Sequence, residues 1–63
     1  MAQLLITNCS DTSRWYSSNI GETFPLLKEF DIEYLTLQAP SEEFNGYRFK
    51  NYILKQDAEI IDV

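Results

Sequence analysis

Histidine is missing from this 63-residue chain, and cysteine occurs once, at Cys9. Without imidazole the commonest general base near neutral pH is gone. One thiol and no histidine cannot assemble a Cys/His zinc site from a single chain. A lone cysteine also leaves no internal disulfide, the usual staple of small secreted domains, so a reducing, cytoplasmic setting is expected. Glycine occurs only at Gly21 and Gly46, which excludes a phosphate-cradling loop. Lys and Arg total five against ten Asp and Glu, a formal net charge of -5. Affinity for nucleic acid comes largely from cations that neutralise phosphates, so nucleic-acid binding is not expected unless the few cations cluster. Only Arg48, Lys50 and Lys55 lie close together in sequence. No apolar run approaches the roughly 18 residues that span a bilayer, and no charged segment leading into an apolar stretch follows Met1. Neither export nor membrane insertion is expected.

What the chain does carry is apolar and aromatic. Hydrophobic residues make up 44% and aromatics 14%, too much for a disordered tail, since each buried ring withdraws about 150–250 Å² from water. The length allows one domain, residues 1–63. A domain this small buries only about 60% of the surface of its unfolded chain, so every large ring matters to its core.

Residues 3–9, rich in aliphatic and β-branched side chains and ending at Asn8, Ser10 and Asp11, predict a first strand. A long polar connector follows, and it holds the only Trp, Trp15, beside Tyr16. Ser10 or Asp11 can cap a single helical turn there by accepting from free backbone amides. Gly21 then bends the chain. Residues 23–30 alternate Phe24, Leu26, Lys28 and Phe30 on one face and predict a second strand, with Pro25 arguing for an edge or a bend. A short polar turn leads into 34–39, where Leu35, Leu37 and Ala39 share a face. Asn45-Gly46 suits a turn with positive φ and predicts a second hairpin. In residues 47–53, Tyr47, Phe49, Asn51 and Ile53 alternate with Arg48, Lys50 and Tyr52, so the basic side chains of this region are expected to face solvent. One 3₁₀ turn over 54–57 and a last strand over 58–63 complete the chain.

Five short strands, a long first connector and tight turns thereafter predict an all-β fold, a small five-stranded SH3-like partly open barrel. An OB-fold is the nearest competitor, but residues 40–46 leave no room for its inserted helix. Trp15-Tyr16 in a polar loop, Ile20-Gly21-Glu22-Thr23-Phe24, and Leu54-Lys55-Gln56-Asp57-Ala58-Glu59-Ile60-Ile61 near the end resemble small uncharacterised SH3-like proteins encoded by phages and prophages of Gram-positive bacteria. The resemblance implies an SH3-like barrel and a phage or prophage origin, and it brings no catalytic residues with it. Eukaryotic peptide-binding SH3 domains share an Ala-Leu-Tyr-Asp-Tyr motif and a tandem Trp pair, and this chain has neither, so recognition of Pro-rich helices is not expected.

The remaining inventory offers little chemistry. Ser10, Ser13, Ser17 and Ser18 lack a base to activate them and suit turns and caps. Cys9 reads as a buried structural thiol. The carboxylate pairs Glu42 with Glu43 and Asp57 with Glu59 could in principle share acid and base roles, but a solvated loop and strand end are the expected settings. The chain is expected not to be an enzyme, and to bind no cofactor and no metal.

Surface recognition remains. Exposed Trp and Tyr are enriched in binding hot spots, which makes Arg14, Trp15 and Tyr16, with Tyr34 or Tyr47 nearby, the candidate protein-binding residues. The competing reading has Trp15 fold back to plug the barrel mouth while the Tyr16 hydroxyl pairs with loop backbone. The expected function is a non-catalytic module engaging a host protein in the host cytoplasm. Two alternatives are weighed. One is an acidic DNA mimic using Asp31, Glu33, Glu42, Glu43, Asp57, Glu59 and Asp62; the other is a nucleic-acid-binding barrel using Tyr47, Arg48, Phe49, Lys50 and Tyr52. Open strand edges with few lysines make the chain a monomer or weak homodimer.

Overall fold

A computed structural model describes residues 2–62 of the chain. Its strands are β1 (Ala2–Ile6), β2 (Thr23–Pro25), β3 (Lys28–Glu29), β4 (Glu33–Leu37), β5 (Lys50–Leu54) and β6 (Ala58–Asp62). Two 3₁₀ turns, Glu42–Phe44 and Lys55–Asp57, are the only helical elements among the described residues. The strands form two three-stranded antiparallel sheets, in the orders β2-β1-β6 and β3-β4-β5. The all-β class matches the sequence reading. The strand count does not: the described residues form six strands in two open sheets, where five strands were expected.

The extra strand comes from the expected 23–30 strand breaking in two at Leu26 and Leu27. Pro25 lies opposite Gln3 in a non-hydrogen-bonded pair, so its missing amide hydrogen faces outward, and its fixed φ sits where the chain turns. Successive amides then bond to different sheets: Leu26 N–H donates to the Ala2 carbonyl at 3.3 Å, and Leu27 N–H to the Leu35 carbonyl at 2.9 Å. One bent segment therefore feeds both sheets, the means by which packed sheets make corners. The bend also undoes the expected single face, since Phe24 is buried whereas Lys28 and Phe30 are exposed.

Burial reverses two further expectations. In β4 the buried residues are Tyr34 and Thr36, while Leu35 and Leu37 are half-buried on the opposite face. Thr36 is accommodated because its hydroxyl donates to the Pro25 carbonyl at 2.6 Å, closing the corner it sits under. In the expected 47–53 strand only Ile53 is buried; Tyr47 and Phe49 lie outside β5 and are exposed. The 3₁₀ turn before the last strand is present, and β6 runs from Ala58 as expected. Its expected extension to Val63 lies outside the described residues.

The core consists of Leu4, Ile6, Tyr16, Phe24, Tyr34, Ile53 and Ala58, with Cys9, Trp15 and Leu26 packed against it. Tyr16 is the largest fully buried side chain and comes from the connector, not a strand. Asp57, expected to be solvated, is 1% exposed. A buried carboxylate persists only when its oxygens are satisfied. Here Oδ2 accepts from the Tyr16 hydroxyl at 2.6 Å and Oδ1 from Asn8 Nδ2 at 3.5 Å. The Asp57 carbonyl receives the amides of Thr7 and Asn8 at 2.9 and 3.3 Å, which ends β1 short of the expected residue 9.

Burial, and then the bond to Asp57, push the Tyr16 phenol up to about 12 from 10.0. The protonated form is the one stabilised, so the native state holds this proton where the unfolded chain has lost it, and stability must fall as pH rises between those values. The contribution is in full below pH 10. Urea unfolding across pH 9–12 is expected to show this loss in the wild type. In Tyr16→Phe the segment of the profile due to this group is expected to disappear, with stability at pH 8 lower by about 1–3 kcal/mol because Asp57 loses a buried partner.

Candidate binding surface

The connector between β1 and β2 is short-range structure from end to end. Asp11 opens it: its Oδ1 accepts the Ser13 amide at 3.0 Å and the Ser13 hydroxyl at 2.6 Å, bonds that hold its carboxyl below the ordinary range. Of the two expected caps, Asp11 is the one in use. Four consecutive turn bonds follow, Arg14 N–H to Asp11, Ser17 to Arg14, Asn19 to Tyr16 and Glu22 to Asn19, all between 2.9 and 3.1 Å. Gly21, at φ 90, lets the chain re-enter the sheet, where its amide donates to Ile6 at 2.8 Å. Cys9, half-buried, donates its thiol hydrogen to the Asp11 carbonyl at 3.1 Å.

These turns aim Trp15 and Tyr16 at the outer edge of β5. Trp15 Nε1 donates to the Tyr52 carbonyl at 2.8 Å, and the Tyr16 hydroxyl accepts the Leu54 amide at 3.3 Å. The Trp15 ring meets Phe24 edge-on at 5.1 Å and Tyr16 at 5.4 Å. Trp15 is thus half-buried, with one flank on the core and the other open. Tyr16 is wholly buried and has no surface to offer a partner, and its hydroxyl donates to a carboxylate rather than to loop backbone.

The open flank of Trp15 forms part of a shallow cleft of about 300 Å³, lined also by Asn19, Phe24, Gln38 and Ala39. Gln38 and Ala39 begin the β4–β5 connection, an arm spanning 38–49. Its root is clamped: Gln38 N–H donates to the Phe49 carbonyl, and Arg48 Nε donates to the Gln38 carbonyl, both at 2.8 Å. The arm closes through a Ser41–Tyr47 bridge and turns at Asn45 (φ 57) and Gly46 (φ 82). Phe44, Tyr47 and Phe49 stand on it as an edge-to-face trio, with centroids 5.3 Å (Phe44–Phe49) and 4.7 Å (Tyr47–Phe49) apart. They are 54%, 60% and 40% exposed, and the exposed acids Glu42 and Glu43 precede them.

Of the five candidate residues, only Trp15 lines the cleft. Arg14 is half-buried in the connector. Tyr34 is in the core with Lys55 Nζ 5.5 Å over its ring. Lys55 itself is held by Glu29 at 2.6 Å, and that bond raises its pKa. Tyr47 is exposed but belongs to the arm. Asn19, Phe24, Gln38 and Ala39 in the cleft, and Phe44 on the arm, are not among the residues expected from sequence. Phe44 was the findable one, because a Phe directly before an Asn-Gly turn has no core to reach.

Among the described residues no group of three or more His, Cys, Asp or Glu side chains is placed to hold a metal ion, and no helix is long and apolar enough to cross a membrane. No protein-family model, curated protein or solved structure matches the chain.

Replacing Trp15 with Phe keeps a ring over Phe24 but removes the donor to Tyr52. Chemical denaturation is expected to show a loss of about 1 kcal/mol, the net worth of one such bond, with the circular dichroism of the native state retained.

Proposed function

We propose that this chain is a small non-catalytic protein-binding module on an SH3-like, partly open barrel, and that its partner docks across the Trp15 cleft and the aromatic arm. The barrel reading is supported by two sheets joined through one bent segment, a long first connector and a 3₁₀ turn before the last strand. With β2 and β3 taken as halves of one bent strand, the count becomes the five expected of such a barrel, which favours this reading. The motif resemblance to phage and prophage proteins supports a phage or prophage origin, with a protein of the host cytoplasm as the partner.

The observation that carries the binding reading is the arm. A domain this small leaves three packed rings outside its core while fixing them with the Ser41–Tyr47 bridge, the Arg48 clamp and two left-handed residues. Rings held in advance lose little conformational freedom on binding, so more of their burial is expressed as affinity. Glu42 and Glu43 beside Phe44, on a chain of charge -5, favour an apolar partner surface rimmed by Lys or Arg. The acidic DNA-mimic alternative has less support: Asp57 is buried, and the other acids proposed for it are spread over the turn at Asp31, β4, the 42–44 turn and β6. For the nucleic-acid alternative, Arg48 is engaged with the Gln38 and Leu37 carbonyls.

Ala39→Arg fills the cleft from an exposed position, and Tyr47→Ala removes a ring from the arm; neither residue is in the core. Affinity capture from host lysate with mass spectrometry is expected to recover a specific protein with the wild type, and about tenfold less of it with either variant. Equal recovery by all three, or no specific protein, rejects the proposal.

A further inference from the structure

Three of the four sheet edges are blunted. β3 is two charged residues long, and β2 is three residues ending in Pro25. The edge of β5 is met by side chains: Trp15 Nε1 at the Tyr52 carbonyl, the Tyr16 hydroxyl at the Leu54 amide, and Asn51 Oδ1 accepting the Tyr52 amide at 2.8 Å. β6 is five residues long and lies at the outside of its sheet, and among the described residues no side chain meets the main-chain groups of Ile60.

The register fixes which β6 groups face outward. Ile6 lies opposite Ala58 while Thr7 N–H donates to the Asp57 carbonyl, which makes Ile6–Ala58 a non-hydrogen-bonded pair. By alternation, Glu59 and Ile61 turn their main-chain groups toward β1, and Ala58 and Ile60 turn theirs away. The Ala58 amide is already bonded to the Lys55 carbonyl. On the face it shares with Leu4 and Phe24, Ile60 is 46% exposed, at the open lip of the core.

We propose that β6 pairs antiparallel with β6 of a second copy about a two-fold axis at Ile60. The two Ile60 residues would exchange both main-chain bonds and bring their side chains together. Glu59 then faces the second copy's Ile61, and Asp62 faces its Ala58, so no like charges are opposed. An axis at Asp62 would oppose two carboxylates. An axis at Ala58 would need an amide already in use. An axis at Glu59 would oppose two carboxylates and draw on the Ala58 amide, and an axis at Ile61, which uses the outward groups of Ile60 and Asp62, would set Ile60 against Asp62 instead of joining the two Ile60 side chains. The Ile60 axis is therefore the register that joins the two exposed isoleucines while opposing no like charges, a self-complementary pairing as an isologous interface requires.

Sedimentation equilibrium from about 10 μM to about 1 mM, the range for a small interface, tests this. The apparent mass is expected to rise from 7.4 kDa toward twice that value. It should rise further with added salt, which screens the -5 charge on each copy. Exchange of the Ile60 amide is expected to slow as protein concentration rises. Ile60→Pro removes an outward N–H without touching a β1 bond, and Ile60→Lys opposes two cations across the axis. Either is expected to weaken association at least about tenfold with the dichroism spectrum unchanged. Should the proline variant unfold, the lysine variant decides. A monomer at every concentration overturns the proposal, and so does self-association that a folded Ile60 variant leaves intact. The partner-binding reading is untouched by either result.

Discussion

One buried hydrogen bond, from the Tyr16 hydroxyl to Asp57 Oδ2, joins the connector to the turn between β5 and β6, 41 positions away, and the groups around it gather the ends of β1 and β5. Asp57 stands where the 3₁₀ turn hands over to β6, and its carbonyl receives the end of β1. Tyr16 brings the connector, and its oxygen also takes the Leu54 amide at the end of β5. A carboxylate at 1% exposure would be strongly unfavourable without such partners, so connector, turn and strand ends must arrive together. In a chain with no disulfide and a small core, this relay takes the role a covalent staple has elsewhere.

Edge protection and the cleft both descend from that bond. Once Tyr16 is drawn into the core, its neighbour Trp15 lies against the β5 edge, where its indole N–H caps the Tyr52 carbonyl and its ring covers Phe24. The flank left open forms the cleft, beside the root of an arm whose own hydrogen bonds keep three rings out in solvent. The same connector that exposes one surface thus seals another, and among the described residues no side chain caps Ile60 at the outer edge of β6.

Much of the fold was legible in local chemistry. Gly21 and Asn45-Gly46 take the positive φ their types favour, Pro25 marks the corner, and Asp11 caps the connector. The long connector, both hairpins and the 3₁₀ turn before the last strand stand where turn residues put them. What period-2 patterning missed was three-dimensional. A bend at Leu26 splits one expected strand between two sheets, and the corner it makes draws Tyr34 and Thr36 inward in place of the aliphatic face of β4. Tyr16 and Asp57 lie 41 positions apart, and no local signal joins a loop tyrosine to a carboxylate that looks like a solvated strand end. The cleft was half visible, through Trp15, because Gln38 and Ala39 acquire a role only when the arm folds back beside the connector.

Through the Trp15 and Tyr16 bonds to β5, the connector is bonded into the sheet as firmly as a strand. Native-state hydrogen exchange of the Trp15 indole and the Leu54 amide tests it most directly. Both are expected to exchange only through global unfolding, with opening free energies that match the stability measured by denaturant. Exchange of either at the rate of an exposed loop, while the β1 and β4 amides stay protected, would contradict it.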